Sequence, residues 1–382
     1  MQVSDDDSSI FEKKSADEHL IQPDTTDAGL NSVQRFVAVC VVVLMACSMI
    51  YIGAILFGNE GFVTYRPGNQ ALESQEIYAE LIDLNGVKLT GEGVTVCIVD
   101  SGLMLDHPDI EGANVVMWKD FVQERSSAYD DHGHGTSMAG ILIADGWMEG
   151  VAPKVNLLVA KALSQNGSGD DGDVAEAIDW CVTNGADVIS LSLGGAPDIL
   201  PFNLGSGRGS DEAASDAIEQ GVLVIAAAGN DGGDDDDGDV ASPCSERLVI
   251  CVGGAKQNGE HWSGSSTGDN NGRVFPFMLP RADPHQKPEL VAPAHNVAVI
   301  NSQGSWSLVD GTSAATVYVT GAVALLLQDN PQLAESTSST NSEQVKEWIQ
   351  QSVQPYEGQS GHDDDYGYGL LSIQALLDLA QA

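Results

Sequence analysis

The alternation of apolar runs with helical patterns along residues 75–382 limits the possible folds more than any other feature. The runs are almost continuously apolar, as in strands covered on both faces: VTVCIVD at 94–100, NLLVAKAL at 156–163, ADVISLSL at 186–193, GVLVIAAAG at 221–229, LVICVGG at 248–254 and PELVAP at 288–293. Helical patterns lie between and after them, at 134–145, 173–184, 210–220, 313–329, 343–352 and 371–381. This order predicts an α/β fold with a doubly wound, mostly parallel sheet and helices on both faces.

A long apolar segment precedes this pattern. Residues 36–57 contain no charged side chain, and as a helix of about 33 Å they match the hydrocarbon core of a bilayer. A cleaved signal peptide has a shorter apolar core and lies closer to the chain start. We therefore expect one uncleaved transmembrane helix. The basic residues near its two ends almost balance, so charge does not orient the chain in the membrane.

These features divide the chain into four segments. Residues 1–35 are polar, acidic and without periodicity, which predicts a disordered tail. Residues 36–57 are the expected transmembrane helix and residues 58–74 a short linker that contains glycine and proline. Residues 75–382 are expected to form one folded domain.

The charge of the chain is strongly negative, with 56 acidic and 16 basic residues and a formal net charge of -40. Such a surface repels nucleic acids, so nucleic acid is excluded as a partner. Acidic runs occur at 5–7, 234–237 and 363–365. They are typical of a solvated, halophile-like surface or of an ordinary acidic protein with local cation sites, and both alternatives remain open.

The cysteines suggest little metal chemistry. Two of the six lie within 36–57, Cys97 is expected in a buried strand and Cys181 in a helix. Cys244 and Cys251 flank a loop-to-strand junction and are able to pair outside the cell, an alternative that the spacing leaves open. The cysteine and histidine pattern does not predict structural zinc.

Four polar residues stand at predicted strand ends or helix starts. Asp100 ends the run VCIVD and Asn230 follows VLVIAAAG, whereas His134 and Ser313 begin predicted helices. Ligands bind beyond the carboxyl ends of such strands. A carboxylate, an imidazole, an amide and a hydroxyl are the orienting group, base, oxyanion donor and nucleophile of acyl transfer. Each residue alone also has an ordinary structural role, such as a helix cap for Ser313.

The blocks VDSG, HGTSMAG, AAAGN and GTSAA resemble the signature blocks of the subtilisin-like serine proteases. The resemblance covers about residues 75–380. It implies a subtilisin-like fold and a serine endopeptidase that acts on polypeptides without a required cofactor. It also implies that Ser313 attacks the scissile carbonyl and that His134 moves the proton. Asp100 would then orient the imidazole, and the Asn230 amide would hold the oxyanion.

The resemblance and the apolar segment together predict a membrane-anchored protease. We expect a single-pass protein of the cell membrane, held through residues 36–57, with its catalytic domain outside the cytoplasm. The alternative is a catalytically silent protein of this fold that binds peptides or partners at the membrane. Residues 317 and 318 favour that alternative, because Val317 and Tyr318 stand where the family usually carries proline and histidine.

The resemblance also implies a primary specificity pocket. Ala241 aligns near its floor and is small, which favours an apolar side chain before the scissile bond. The acidic run 231–239 favours a basic side chain instead, and both alternatives remain open. The two walls correspond to Ser192, Leu193, Gly194 and Gly195, and to Ala227, Ala228 and Gly229.

A structural calcium ion is a further expectation with an open alternative. The segment between Ala144 and Gly150 is too short for the family's common calcium loop, although the usual partner Asp109 is present. The acidic run offers another calcium site or is only a solvated loop. The candidate ligands are Asp231, Asp234, Asp235, Asp237 and Asp239.

Overall fold

The structure is a computed structural model in which residues 26–57, 66–195, 208–233, 239–268, 281–334 and 338–381 are described. The chain forms two compact units, one ending at Tyr65 and one beginning at Arg66. The first contains helix α1 (Thr26–Phe57). Its stretch Asn31–Gly53 has a mean hydropathy of 2.6, is long enough to cross a membrane and is not buried in the protein. The predicted apolar helix is therefore present.

Helix α1 begins earlier than residues 36–57, the segment predicted from the sequence. Residues 26–35, expected to belong to a disordered tail, are helical. A helix that is already nucleated extends at little cost into polar residues, because each added residue gains a backbone hydrogen bond. The prediction for residues 1–25 lies outside the described residues.

A seven-stranded sheet forms the centre of the second unit, in the order β2-β3-β1-β4-β5-β6-β7. All of its neighbouring strands are parallel. Its strands are β1 (Thr95–Asp100), β2 (Val115–Asp120), β3 (Asn156–Lys161), β4 (Val188–Leu191), β5 (Leu223–Ala227), β6 (Ile250–Ala255) and β7 (Leu290–Pro293). From β1 the strands are added first toward one edge of the sheet and then, from β4 onward, toward the other. At such a switch point a crevice opens beyond the strand ends. Asp100 ends β1 at this point.

Helices cover both faces of the sheet, as predicted. Among the described residues, the α-helices of this unit are α2 (Asn69–Leu81), α3 (His134–Ile143), α4 (Asp171–Thr183), α5 (Ser210–Glu219), α6 (Thr312–Asp329), α7 (Thr340–Ser352) and α8 (Ile373–Ala380). Val96 and Ile98 belong to one buried cluster with α3 and α6, whereas Cys97 and Val99 belong to a second cluster with α4 and α5. The fold class predicted from the apolar runs is confirmed.

Two sheet elements were not predicted. Strand β2 lies at the edge of the sheet, with Val116 and Met117 exposed, so it lacks the continuous burial that marks the other strands. Strands β8 (Val297–Ile300) and β9 (Trp306–Val309) form a separate antiparallel hairpin. Its second strand is only partly buried, so it carries little of the periodic signal on which the other assignments depend.

The predicted linker 58–74 is too long, because helix α2 begins inside it. The helix begins at Asn69, and its side chains Ala71, Ser74 and Tyr78 are buried. The Ser74 hydroxyl donates to the Asn296 carbonyl oxygen at 2.5 Å. Residues 69–74 therefore belong to the second unit, because their burial against the β8 region stabilises the helix. Residues 58–65 lie outside the described residues.

Candidate active site

Asp100 and His134 form a direct pair at the end of β1. The imidazole Nδ1 lies 2.8 Å from Asp100 Oδ1 and 2.9 Å from Oδ2. Asp100 is fully buried, and its Oδ1 also accepts a hydrogen bond from the Ser101 amide at 2.6 Å. The His134 side chain keeps 28% of its surface exposed. A buried carboxylate that accepts a hydrogen bond from Nδ1–H keeps the proton on that nitrogen, so Nε2 is the nitrogen able to take up a further proton.

Two glycines bring this pair together. A Cβ on Gly135, next to His134, would lie 2.2 Å from the carbonyl oxygen of Gly102. A Cβ on Gly102 would lie 2.0 Å from the Tyr129 carbonyl oxygen, and its φ of +122° favours glycine. A larger residue at Gly135 would push the start of α3 away from the turn that follows β1, and a larger residue at Gly102 would push that turn away from Tyr129. The glycines of the VDSG and HGTSMAG blocks thus have a packing reason.

Asp130 supports the start of α3, and its role was not recognised from the sequence. Its buried carboxylate accepts hydrogen bonds from the amides of Gly133 and Thr136 at 2.7 and 2.8 Å. Ser101 Oγ and Thr136 Oγ1 donate to it as well, at 2.9 and 2.6 Å. Burial would raise the pKa of Asp130, but these hydrogen bonds outweigh it and lower the pKa. An aspartate just before a predicted helix start was the available signal.

The surroundings of His134 favour its protonated form. Burial lowers the pKa of His134, but the charge of Asp100, the hydrogen bond to it and the charge of Asp130 together raise the pKa above its ordinary value. The nearby carboxylates therefore stabilise an imidazolium. This is the charge state that a base adopts after it takes a proton from a nucleophile.

Ser313 is not the cap of α6. The helix begins at Thr312, its N-cap is Gly311, and no side chain makes a capping hydrogen bond. The Ser313 hydroxyl donates instead to the Ser192 carbonyl oxygen at 3.0 Å. Between Thr312 and Leu327 every residue except Ser313 is buried. A partly exposed hydroxyl thus stands at the mouth of a buried helix, and it lines the same cavity as His134.

Thr312 fixes the orientation of the Asn230 amide. Asn230 Oδ1 accepts from the Thr312 amide and from Thr312 Oγ1, both at 2.9 Å. The amide nitrogen Nδ2 is consequently turned away from these donors and is available as a donor in the cleft that Asn230 and Ser313 both line. The Thr312 contact spans 82 residues of sequence, and the sequence did not reveal it.

A cleft of about 690 Å³ contains these groups and most of the predicted pocket walls. Gly194 and Ala241 approach closely, because a Cβ on Gly194 would lie 2.7 Å from Ala241 Cβ. Ala228 is fully buried and lies behind the surface. The predicted wall residues that line the cleft are Ser192, Leu193, Gly194, Gly195, Ala227 and Gly229.

Two disulfides lie in the second unit. Cys244 pairs with Cys251, one of the two alternatives that the sequence left open. Cys97 pairs with Cys181, a contact that was not predicted because the two residues lie 84 positions apart. This second bridge links β1, three residues before Asp100, to α4. Cys40 and Cys47 on α1 are free.

The described carboxylates that were predicted to bind calcium already accept hydrogen bonds from other side chains. Asp239 is buried and is bound by Arg281 through two hydrogen bonds of 2.7 and 2.8 Å. Asp231 accepts from the Ser266 hydroxyl, and Asp234, Asp235 and Asp237 lie outside the described residues. Within the described ranges, no group of three or more His, Cys, Asp or Glu side chains is placed to hold a metal ion.

Asp109 likewise does not fit a calcium ligand. Its Oδ1 accepts from the Trp147 amide at 2.9 Å, and its Oδ2 from the Met148 amide at 3.0 Å and from Trp306 Nε1 at 2.6 Å. Protein donors thus occupy both oxygens of this carboxylate. The short loop before Gly150 supplies two of those donors.

The chain belongs to the subtilase family, whose profile matches residues 91–369. It is 31% identical over 326 residues to "Serine protease AprX" of Bacillus subtilis (strain 168), covering 78% of this chain and 69% of that protein. It is 30% identical over 302 residues to "Subtilisin DY" of Bacillus licheniformis, covering 78% and 95%. The chain is a subtilisin-like serine endopeptidase. Calcium binding is common in this family, which generally needs no organic cofactor.

A solved structure supports the same fold. The crystal structure of a cold adapted subtilisin-like serine proteinase superposes with a TM-score of 0.58 at 25% sequence identity. The match covers 75% of this chain and 91% of that chain. The predicted class of enzyme is therefore confirmed, and the alternative of a catalytically silent protein is not favoured.

Proposed function

We propose that Asp100, His134 and Ser313 form the catalytic triad and that Asn230 stabilises the oxyanion. The supporting observation is the buried Asp100 carboxylate, whose two oxygens lie 2.8 and 2.9 Å from His134 Nδ1. This contact keeps the Nδ1 proton in place. His134 Nε2 can then accept the Ser313 proton as the hydroxyl attacks the carbonyl carbon of a bound polypeptide.

Hydrolysis proceeds in two stages, acylation of Ser313 and then transfer of the acyl group to water, and each stage passes through a tetrahedral intermediate. The tetrahedral oxygen receives hydrogen bonds from Asn230 Nδ2 and from the Ser313 amide, because Thr312 directs the Asn230 amide into the cleft. The imidazolium then donates its proton to the leaving amine, and an acyl-enzyme forms on Ser313. A water molecule then gives a proton to His134 and attacks the ester carbonyl. The ester C–O bond breaks, His134 returns the proton to Ser313 Oγ, and the carboxylic acid product leaves.

Covalent labelling tests this assignment. The full chain in detergent is treated with a fluorophosphonate probe, and we expect one label on Ser313 that disappears in Ser313→Ala. Ser168→Ala is a matched control, since Ser168 lines the same cleft and should leave labelling unchanged. A folded protein that does not react, or that reacts at another serine, would remove Ser313 from this role.

We also propose that Asn31–Gly53 tethers the enzyme to a membrane, with the unit from Arg66 onward outside the cytoplasm. The helix is apolar and exposed along its length, a surface that a bilayer would cover. The two disulfides support the placement of the second unit, because such bridges persist in oxidising compartments.

Fractionation and thiol mapping test the tether and the placement. We expect the protein to stay with membranes during alkaline carbonate washing and to retain Asn31–Gly53 by mass spectrometry. Alkylation without reduction should leave Cys97, Cys181, Cys244 and Cys251 unmodified. Loss of the N-terminal helix would identify it as a cleaved signal sequence. Alkylation of these four thiols would place the unit in a reducing compartment.

A further inference from the structure

Two acidic side chains in the substrate cleft have no role in the proposed proton transfer. Asp171 is the first residue of α4, Asp211 lies in the first turn of α5, and both line the cleft that contains Ser313. They converge above Gly209, where a Cβ would lie 2.6 Å from Asp171 Oδ2 and 2.7 Å from Asp211 Oδ1. Two carboxylates directed at one point produce a local region of negative potential.

The described part of the cleft lining contains no lysine or arginine to neutralise this pair. Arg208 is close in sequence, but it forms ion pairs with Asp179 and Asp216. The Ser210 amide donates to Asp171 Oδ1 at 3.1 Å, and the Glu212 amide donates to Asp211 Oδ1 at 2.7 Å. Among the described residues, Oδ2 of each carboxylate has no donor, so it can accept one from a ligand.

Apolar side chains lie beside the carboxylates. Val174 follows Asp171 by three positions on α4 and therefore lies on the same helix face. Leu163 packs near Gly169, because a Cβ there would lie 3.0 Å from Leu163 Cδ2. Val174 and Leu163 both line the cleft. An apolar wall beside two carboxylates suits a side chain with a methylene stem and a cationic end.

We propose that Asp171 and Asp211 select substrates in which a lysine or arginine side chain reaches this part of the cleft. The stem would contact Leu163 and Val174, and the cation would bind Asp171 Oδ2 and the Asp211 carboxylate. This inference rests on the proposed function, because hydrolysis at Ser313 is its readout. Acidic residues at the starts of α4 and α5 also stabilise those helices, so the test must separate selection from stability.

The test measures substrate preference on the full chain in detergent. Quenched fluorescent peptides carry alanine at the second to fifth residues before the scissile bond, with lysine, norleucine or glutamate at one position at a time. At one of these positions we expect lysine to raise kcat/KM about tenfold over norleucine. Active-site titration with the fluorophosphonate probe normalises each enzyme preparation.

Variants assign the preference to the two carboxylates. Asp171→Asn with Asp211→Asn should reduce the lysine-to-norleucine ratio to near one. The control, Asp378→Asn with Glu347→Gln, removes two exposed charges outside the cleft and should leave the ratio unchanged. A ratio that survives the cleft variant, or falls equally in the control, would overturn the inference. Cleavage without lysine preference at any position would overturn it while the proposed function stands; no cleavage and no labelling would overturn both.

Discussion

Ser192 and Ser313 hold each other through two reciprocal hydrogen bonds. Ser313 Oγ donates to the Ser192 carbonyl oxygen at 3.0 Å, and Ser192 Oγ donates to the Ser313 carbonyl oxygen at 3.1 Å. The segment that follows β4 is thereby tied to the first turn of α6. Since the Ser313 hydroxyl has one proton, it must leave the Ser192 carbonyl before it can donate to His134. The position of the proposed nucleophile therefore depends on the position of the cleft wall at Ser192.

Ser192→Ala should lower kcat about fivefold and leave KM nearly unchanged. The variant removes the hydrogen bond to the Ser313 carbonyl, and one neutral hydrogen bond contributes about 1 kcal/mol. Steady-state kinetics on one peptide measure the effect. Ser168→Ala, which changes another serine of the cleft, serves as the control. An unchanged kcat in Ser192→Ala would show that this bond does not position Ser313.

Asn230→Asp should lower kcat about a hundredfold or more. Aspartate retains an oxygen for the Thr312 hydrogen bonds, but it replaces the Nδ2 donor by a negative charge beside the developing oxyanion. Two quantities are measured for the wild type and for Asn230→Asp: kcat and the midpoint temperature of thermal unfolding. A large loss of kcat with little change in midpoint separates oxyanion stabilisation from positioning of Thr312. Wild-type kcat would contradict the role proposed for Asn230.

The pH profile of kcat/KM should report the raised pKa of His134. The proposed base must be neutral in the free enzyme, so activity is lost as the pH falls through this pKa. Burial lowers the pKa, but the Asp100 and Asp130 carboxylates outweigh it and raise it. The acid midpoint should consequently lie above about 6.5, the ordinary histidine value.

Removal of one of these charges should move the midpoint. Asp130→Asn is expected to shift the profile to lower pH, because it removes a negative charge that stabilises the imidazolium. Asp378→Asn, an exposed position on α8, is the charge control. A shift to higher pH in folded Asp130→Asn would contradict this explanation.

Gly194→Ala should narrow the primary specificity pocket. The added Cβ would lie 2.7 Å from Ala241 Cβ, whereas a Cβ on Gly195 would meet no atom of the described residues within 4 Å. We expect kcat/KM to fall at least about tenfold for peptides with phenylalanine before the scissile bond. Peptides with alanine there should lose less, and Gly195→Ala is the matched control. Equal effects of the two variants would argue against a pocket bounded by Gly194 and Ala241.

Salt should stabilise the protein if its charge is the dominant surface property. At a net charge of -40, repulsion between carboxylates destabilises the compact state, and added ions screen it. We expect the thermal midpoint to rise by several degrees between 0.1 and 2 M KCl, and more than in sucrose of equal osmolality. A midpoint that falls with KCl would exclude a halophile-like surface.

The sequence determined the parts of this protein that depend on local patterns. Continuous apolar runs identified the buried strands of the sheet, since burial on both faces removes the usual alternation. Asp100, His134, Asn230 and Ser313 were found because each stands beside such a run or helix. The strand ends of a parallel sheet meet at one edge, so their proximity could be inferred before any coordinates.

Contacts between residues distant in sequence became visible only in the folded chain. The bridge from Cys97 to Cys181 and the contact from Asn230 to Thr312 span 84 and 82 positions. Neither contact produces a periodic pattern in the sequence. The edge strand β2 and strand β9 escaped prediction because partial exposure weakens the apolar pattern. Local patterns record which side chains avoid water, whereas the partner of each side chain depends on how the whole chain packs.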